Sequence, residues 1–524
     1  MVKNIIVFLF FFCLLCLGLS IYRDYGVHWD EVFNRNFGNR WANYVETLAH
    51  THSIHTPLPN FVQHDLIHGP AFEIFLASSA KLLRIHDSRD VLFMRHLSIF
   101  LLFYIGTVFF YLLGLHYFKN WKLALLGCAF LVLSPRIFAD AFYNTVDIAF
   151  LVFFVISIYT LLIALDKKRV LSTLAHALCS AILVAIRIIG FLLPLITIIF
   201  FSLEILHNKH RRDKIIILKI LTIYLLYLAL FIITLNPFLW LDPLGNFMTL
   251  LIASKNFSFY RYDLYLGHFI LVTKHPWHYV PVWLSVTTPL LYSTLFIIGF
   301  LNALYLFLQK NTPSQVIKRD TAIILCWLFL PLFFAHCRVY NGWRHVYFIY
   351  PAFLIFSLIG TRFLWQLINQ TFNQKTKTLM HTGLIFLISL SFFDTASFMM
   401  RNHPYQNIYF NRLIGPNINE ATKKFSLDYW GLSYRKALEY ILKNDNAPLI
   451  PIFVLNSPGE YSIGILPPKD RTRFYFTPVK KSKYYLTDDM QHPYPYDNNE
   501  EYAATEYYSV KVDGMKILIV FKLK

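Results

Sequence analysis

The chain has 524 residues, of which 56% are hydrophobic and only 15% charged, and its mean hydropathy is +0.47. Soluble proteins of this length carry far more charge, so this composition excludes a soluble globular class and indicates a polytopic membrane protein. The net charge of +18 does not indicate nucleic-acid binding, because much of the Lys and Arg lies in short loops between apolar runs, as the positive-inside rule predicts.

The first apolar run, from Ile5 to Ile21, is predicted to be a retained membrane helix. No small-residue cleavage site follows it, which disfavours the alternative of a signal peptide. Lys3 places the start of this helix in the cytoplasm and the loop 22–95 outside. Within that loop, the apolar stretch 72–83 is too short to cross a membrane, so we interpret it as an interfacial helix.

Further apolar runs follow along the chain. They predict spans near residues 96–117, 121–135, 147–165, 171–187, 190–206, 215–235, 281–307, 321–337, 346–367 and 379–398. With the first helix, these make about eleven transmembrane helices. The Lys and Arg clusters of alternate loops fall on the side of Lys3 if the 72–83 helix does not cross, so the chain after residue 398 is expected outside.

The long apolar runs end near residue 398. Residues 399–524 are predicted to form a small α/β domain on the outer face, separate from the membrane domain 1–398. The patterning predicts a helix at Ala437–Lys443 and strands at Leu449–Leu455, Arg473–Thr477, Tyr508–Val512 and Lys516–Phe521. Asp513-Gly514 between the last two strands is a hairpin signal.

The six cysteines do not form a disulfide or zinc pattern. Five lie within apolar runs, and none lies in the region 399–524. The CxxC pair Cys13 and Cys16 falls inside the first apolar run. A disulfide framework or a structural zinc site is therefore not expected.

Polar groups suited to chemistry gather in the outer loops, where Asp30 and Glu31 follow the first helix by about ten residues. Transfer of a sugar from a phosphate to a hydroxyl needs a general base for the hydroxyl proton. It also needs cations or hydrogen-bond donors that hold the phosphate as charge develops. A carboxylate at the interface, opposite outer-loop cations, meets the first need. The alternative for Asp30 is a helix cap or a salt-bridged loop acid.

An apolar first helix followed by an Asp-Glu pair resembles the GT-C membrane glycosyltransferases, the superfamily of protein O-mannosyltransferases and aminoarabinose transferases. Other outer-face segments are similar to stretches of that superfamily. They are Ser134–Asp147 (SPRIFADAFYNTVD), His275–Tyr279 (HPWHY) leading to Thr287–Pro289, Tyr340–Pro351 (YNGWRHVYFIYP), and, for a bacterial subgroup, His403–Gln406 with Asp428–Gly431. The resemblance covers about residues 5–435.

This resemblance implies a GT-C fold, a polyprenyl-phosphate-linked sugar donor and an inverting, mannosyltransferase-like transfer to a hydroxyl of a protein or glycan. It implies that Asp30 is the general base, that Glu31 supports it or orients the acceptor, and that Asp147 is the second functional acid. Arg344 is expected to hold the donor phosphate, since a guanidinium binds phosphate oxygens bidentately. The alternative for Arg344 is an interfacial arginine that reaches lipid headgroups.

Other residues are expected to bind substrate: His68, Arg136, Asp140, Trp277, His278 and His345. Each keeps an alternative. Asp140 is equally well a structural loop acid, and His345 either assists Arg344 or caps a helix. His68 stands before Gly69-Pro70, where aminoarabinose transferases carry Lys before Pro, so its role is left open. Trp277 and His278 either contact donor or acceptor or belong to an aromatic belt.

A divalent metal is also left open. His28, Asp30, Glu31, His64 and His68 share one loop but show no fixed ligand spacing. Protein mannosyltransferases imply metal-independent transfer, whereas aminoarabinose transferases keep a divalent ion open.

The resemblance favours a bacterial inner membrane, with a cytoplasmic N-terminus and a periplasmic C-terminal domain. Functions of other classes are a multi-pass transporter or lipid flippase, and a non-catalytic scaffold. Transporters often show internal repeats and ionisable groups at mid-membrane depth. Here no repeat is visible and the carboxylates lie on one face, which favours the enzyme.

Overall fold

The computed structural model describes residues 2–51, 59, 68–256, 261–309, 315–335, 339–415, 417–488 and 505–523. Its helices are α1 Val2–Ile21, α2 Glu31–Thr51, α3 Ala71–Leu82, α4 Ser88–Phe118, α5 Trp121–Val132, α6 Pro135–Asp140, α7 Asp147–Lys167, α8 Val170–Ile186, α9 Leu192–His207, α10 Arg211–Leu235, α11 Pro243–Asn256, α12 Tyr279–Thr287, α13 Leu290–Leu308, α14 Gln315–Ala335, α15 Tyr350–Thr371, α16 Gln374–Arg401, α17 Glu420–Lys424, α18 Tyr434–Asn444, α19 Ser457–Tyr461 and α20 Pro468–Arg471. The strands are β1 Tyr262–Tyr265, β2 His268–Leu271, β3 Ile450–Val454, β4 Phe474–Phe476, β5 Tyr484–Asp488, β6 Thr505–Val512 and β7 Met515–Lys522.

Within these ranges, 8 helices are long and apolar enough to cross a membrane. They are α1, α4, α7, α9 with the turn before it, α10, α13, α15 with the turn before it, and α16. Helices suit these runs because a lipid-exposed backbone must satisfy its hydrogen bonds within one segment. The protein is therefore a multi-pass membrane protein, as predicted. The helices α5 and α8 are apolar but shorter, so a count of eleven spans stays a prediction.

The segment between α1 and α4 contains a helix that the sequence analysis does not identify. Helix α2 buries Phe37, Trp41 and Tyr44, which recur at helical spacing among polar residues. Such a stripe has no continuous apolar run, so a search for membrane spans passes over it. The helix predicted at 72–83 is present as α3, and its interfacial location stays a prediction.

The single span predicted at 281–307 is wrong, because this stretch forms two helices, α12 and α13. Thr288 between them has an extended backbone, with φ −106° and ψ 141°. A residue before proline is pushed out of the helical region, and Pro289 itself offers no N–H to the preceding turn. The break separates α12 from α13, and α13 alone is long and apolar enough to cross a membrane.

Helices α13 and α15 approach each other through glycines. A Cβ at Gly299 would lie 1.8 Å from the Phe356 carbonyl oxygen, and one at Gly360 would lie 2.1 Å from the Leu295 carbonyl oxygen. The Ser357 hydroxyl also donates to the Tyr292 carbonyl at 3.0 Å across this contact. The close approach therefore depends on the missing side chains.

We expect Gly299→Ala to destabilise the protein by about 1–3 kcal/mol, because the added methyl group forces two helix backbones apart. The matched control is Gly383→Ala on α16, where an added Cβ meets nothing within 4 Å. Thermal unfolding in detergent measures both variants. A Gly299→Ala variant as stable as the Gly383→Ala variant would contradict this packing.

The C-terminal region holds a five-stranded mixed sheet with the order β4-β3-β5-β7-β6. The predicted strands and the helix α18 are confirmed, and Asp513-Gly514 turns the predicted hairpin with φ of 42° and 90°. The sequence analysis missed β5, which lies at the centre between β3 and β7. Strand β5 has only five residues, and no turn sequence as clear as Asp513-Gly514 stands beside it, so its pattern did not identify it.

The sheet region is tied to the membrane helices by polar contacts. Arg471 donates to both oxygens of Asp87, the residue before α4, at 2.9 and 2.7 Å. Asn402 at the end of α16 donates to Asp513 of the hairpin at 2.9 Å. The largest cluster of buried hydrophobic residues includes both Phe11 and Val520. A division at residue 398 stays a prediction.

Candidate active site

The loop after α1 is held so that Asp30 stands at the start of α2. The Trp29 amide donates to the Trp430 carbonyl at 3.2 Å, and the Asp30 amide donates to His28 Nδ1 at 3.2 Å. Because His28 Nδ1 accepts, its Nε2 carries the proton and donates to the Tyr143 carbonyl at 3.0 Å. Burial lowers the pKa of His28, which agrees with a neutral ring.

Asp147 opens α7 and is held by the loop before it. Its amide donates to Asn144 Oδ1 at 2.9 Å, and Asn144 Nδ2 donates to Asp147 Oδ2 at 2.8 Å. Asn144 Nδ2 also donates to Asp140 Oδ2 at 3.1 Å. The two acids of the 134–147 segment therefore share one amide, and only 1% of the Asp147 side chain is exposed.

Arg344 joins the two separate carboxylates. Its Nη1 lies 3.1 Å from Asp30 Oδ2 and 3.3 Å from Asp147 Oδ2. Arg187 Nη2 lies 2.6 Å from the other oxygen of Asp147. Two guanidinium groups thus face two carboxylates, so the charges of this cluster balance.

Aromatic rings cover Arg344. Its guanidinium carbon lies 4.6 Å from the centre of the Trp430 ring and 5.1 Å from that of Tyr340. The Arg344 side chain is 5% exposed, while that of Asp30 is 41% exposed. Asp30 is therefore the carboxylate of this cluster that an incoming molecule can reach.

A cavity of about 350 Å³ opens at this cluster. Its lining includes Asp30, Asn144, Arg187 and Arg344, together with His68. An apolar groove of about 510 Å³ also has His68 in its wall and is otherwise formed mostly by aliphatic and aromatic residues of α2, α8, α10 and α11. His68 therefore lines both the polar cavity and the apolar groove.

Glu31 does not face the Asp30 cavity. Its Oε1 lies 3.2 Å from His96 Nε2 and 3.9 Å from Arg95 Nε, and the residue is fully buried. Arg95 also pairs with Glu73 at 2.9 Å, and Glu73 accepts from the Thr145 hydroxyl at 2.5 Å. Although burial opposes the charged form, the hydrogen bond with His96 and the nearby Arg95 guanidinium hold the pKa of Glu31 below its usual value. This placement favours the supporting role over contact with an acceptor.

Arg136 and Asp140 lie outside the lining of the cavity, and Asp140 is linked to Asp147 through Asn144. Asp140 accepts from the Tyr143 hydroxyl as well as from Asn144. Arg136 is 1% exposed and packs between Trp283 and Phe410, with ring centres 5.1 and 4.9 Å from its guanidinium carbon. Neither Arg136 nor Asp140 lines the cavity. A direct contact of either with substrate is thus not supported by this geometry.

Of the remaining predicted site residues, some lie beside the cavity and others lie outside it. His68 forms an isolated β-bridge with Arg187, so it lies beside the cluster. His345 packs its ring on Tyr340 with centres 4.5 Å apart. The other two predicted residues, His278 and Trp277, do not line the cavity. The His278 ring forms a hydrogen bond with the Tyr265 hydroxyl at 2.7 Å, and the Trp277 side chain is 74% exposed.

The sequence analysis missed Arg187 and Asn144 as site residues. The sequence signal for Arg187 is its position at the end of an apolar run, where an unpaired charge is costly. The described residues contain no group of three His, Cys, Asp or Glu side chains that could hold a metal ion. His64 of the proposed metal loop lies outside the described residues.

No protein-family model and no curated protein sequence matches this chain. Solved structures match it in fold. The archaeal oligosaccharyltransferase AglB from Archaeoglobus fulgidus, in complex with an inhibitory peptide and a dolichol-phosphate, matches with a TM-score of 0.51 and 10% identity over 91% of this chain and 69% of that chain. The Archaeoglobus fulgidus oligosaccharyltransferase tethered to an acceptor peptide with the NVT sequon matches with a TM-score of 0.51 and 10% identity over 98% and 74%.

The aminoarabinose transferase ArnT from Cupriavidus metallidurans, bound to undecaprenyl phosphate, matches with a TM-score of 0.46 and 10% identity over 98% of this chain and 97% of that chain. AglB and ArnT are both members of the GT-C superfamily. The matches to the archaeal oligosaccharyltransferase confirm the GT-C fold that the sequence predicts, a helical membrane region with a small C-terminal region that contains a β-sheet.

Proposed function

We propose that this protein is a glycosyltransferase that moves a sugar from a polyprenyl-phosphate donor to an acceptor hydroxyl on the outer face of the membrane. The observation that carries the proposal is the cluster in which Arg344 bridges the half-exposed Asp30 and the buried Asp147. A base and a phosphate-binding cation lie within one cavity, which is what glycosyl transfer from a phosphate requires. Inverting transfer follows if Asp30 acts as the base and no covalent sugar intermediate forms.

The charges of the cluster suit an incoming phosphate. Arg344 and Arg187 are both fixed on Asp147, so neither guanidinium must be ordered when the donor arrives. Arg344 uses its Nη1 group for the hydrogen bonds to both Asp30 and Asp147. A guanidinium has further N–H donors, and their planar arrangement fits two oxygens of a phosphate. When the Arg344 guanidinium binds phosphate, it stabilises the Asp30 carboxylate less. The pKa of Asp30 then rises, and Asp30 becomes a better base.

The apolar groove suits a polyprenyl tail. A polyprenyl chain is hydrocarbon, and its burial stabilises the complex in proportion to the apolar area removed from water. Because His68 lines both the groove and the polar cavity, a tail in the groove brings its phosphate toward Arg187 and Arg344. His68 then stands where tail and phosphate join.

Ile188 provides a test of this groove. We expect Ile188→Trp to weaken the binding of undecaprenyl phosphate by about tenfold, because the larger ring fills space that the tail needs. The control is Leu195→Trp on α9, a side chain that is 43% exposed and outside the groove. Binding is measured on purified protein in detergent. Equal affinity of both variants would place the tail elsewhere.

The acceptor and the sugar are proposed only by class. We assign the acceptor to a hydroxyl of a protein or glycan, the sugar to a hexose of the mannose type, and the membrane to a bacterial inner membrane with the C-terminal region in the periplasm. In this assignment residues 1–398 catalyse the transfer and residues 399–524 contribute to acceptor selection. Transport or lipid flipping by the same chain predicts movement of the donor across the membrane without sugar transfer, which proteoliposomes distinguish.

We expect transfer to fall as the pH drops through about 6. Burial raises the pKa of Asp140 to about 6, against hydrogen bonds from Tyr143 and Asn144. Below this pH Asp140 gains a proton and loses acceptor capacity for Asn144, which positions Asp147. The transfer rate measured from pH 5 to 8 should lose this acidic limb in Asp140→Asn. The same midpoint in both proteins would show that Asp140 does not govern it.

A further inference from the structure

A buried carboxylate and a buried phenol lie under the loop that carries Arg344. Asp263 of β1 is 4% exposed and Tyr279 at the start of α12 is 2% exposed. The Tyr279 hydroxyl donates to Asp263 Oδ2. Neither residue lines the donor cavity, and the sequence analysis assigned no role to either.

This pair binds two consecutive backbone amides of the Arg344 loop. The Asn341 amide donates to Asp263 Oδ2 at 3.1 Å, and the Gly342 amide donates to the Tyr279 hydroxyl at 3.1 Å. Both loop residues have positive φ, 54° at Asn341 and 75° at Gly342. A non-glycine residue in this region costs free energy, so the turn persists because its surroundings hold it.

The same loop is held at its two ends. His275 Nδ1 bonds the Val339 carbonyl at 2.7 Å, and its ring stacks on Tyr279 with centres 3.9 Å apart. The Trp343 indole N–H donates to the Thr287 hydroxyl at 2.9 Å. Helix α12 and the turn before it thus fix the backbone up to the residue before Arg344.

We propose that Asp263 and Tyr279 are positioning residues that set the location of the Arg344 guanidinium and thereby the affinity for the donor phosphate. The proposal rests on the proposed function for its ligand. The Arg344 guanidinium lies within 3.3 Å of both Asp30 and Asp147. A shift of the 341–342 turn moves Arg344 away from this geometry, since only one residue separates them.

The test compares two matched pairs of variants. Tyr279→Phe removes one of the two hydrogen bonds under the loop, and Asp263→Asn weakens the other by replacing a carboxylate with a neutral amide. Asp445→Asn and Tyr484→Phe remove a similar buried pair of the C-terminal sheet, where the Tyr484 hydroxyl donates to Asp445 Oδ2 at 3.0 Å. We expect the first pair to weaken undecaprenyl phosphate binding about tenfold. The Gly342 amide loses its acceptor in Tyr279→Phe, and the Asn341 amide keeps only a weaker, uncharged acceptor in Asp263→Asn. The second pair should bind like the wild type.

A double variant separates positioning from general damage. If Asp263 acts through Arg344, Asp263→Asn should change the affinity of an Arg344→Ala protein by less than about twofold, since the two effects are not additive. Full weakening in that background would overturn the proposal, and so would wild-type affinity in Asp263→Asn and Tyr279→Phe.

Amide hydrogen exchange gives a readout that needs no ligand. We expect faster exchange at Asn341 and Gly342 in Asp263→Asn and Tyr279→Phe but not in the control pair. Unchanged exchange would overturn the positioning role by itself. If the wild type binds no undecaprenyl phosphate while the exchange changes as expected, the proposed donor is wrong and the positioning role stands.

Discussion

Replacement of Asp30 by asparagine is expected to lower the rate of sugar transfer by about 10²- to 10⁴-fold, the usual contribution of a general base. Asp30 is the half-exposed carboxylate of the cluster and can meet an acceptor hydroxyl, whereas Asp147 is buried. Asparagine keeps the size of the side chain but cannot take a proton. Sugar release from radiolabelled polyprenyl-phosphate sugars in proteoliposomes measures the rate.

Donor binding should survive this change. Asp30→Asn leaves Arg344 paired with Asp147 and removes one competitor for its charge, so affinity for undecaprenyl phosphate should stay equal or increase. The control is Asp24→Asn in the same loop, where Asp24 pairs with His403 at 2.8 Å. Turnover retained in Asp30→Asn would remove the base assignment, and equal losses in both variants would indicate damage to the loop.

Loss of Arg344 is expected to have the second large effect. Arg344→Ala should weaken donor binding by about 2–5 kcal/mol, the cost of truncating a buried, hydrogen-bonded charge. Arg344→Lys should recover only part of the loss, because one ammonium cannot replace a fork that faces Asp30, Asp147 and a phosphate. Binding of undecaprenyl phosphate in detergent measures both variants.

Arg471→Ala provides the comparison for Arg344. Arg471 also binds an aspartate on the outer face, with both nitrogens on Asp87, but does not line the cavity. We expect its donor affinity to equal that of the wild type. Donor affinity unchanged by Arg344→Ala would leave the proposed phosphate site without its principal cation.

The membrane fold follows from local properties of the sequence. Long apolar runs form membrane helices because each helix satisfies its own backbone hydrogen bonds. The transfer of its apolar side chains into the membrane is also favourable for each helix by itself. The strands around Asp513-Gly514 are predicted for the same reason, since a two-residue turn is chosen by its own residues. Helix α2 has no continuous apolar run and strand β5 has no clear turn signal beside it, so local signals did not identify these two elements.

The site is predicted only in part. Asp30, Asp147 and Arg344 were selected through motifs and the resemblance, and the structure brings these three together. Glu31, one position from Asp30, turns the opposite way to His96 and Arg95. Successive residues at a helix start point about 100° apart, so neighbours in sequence need not share a cavity.

The sequence alone determined that this chain is a polytopic membrane protein, because hydropathy acts on each segment separately. Only the tertiary structure decided which groups meet. Asp30 and Arg344 lie 314 positions apart and meet at 3.1 Å, and Arg187, the residue after α8, completes the cluster. Such contacts depend on how eight or more helices pack against one another, which no single segment encodes.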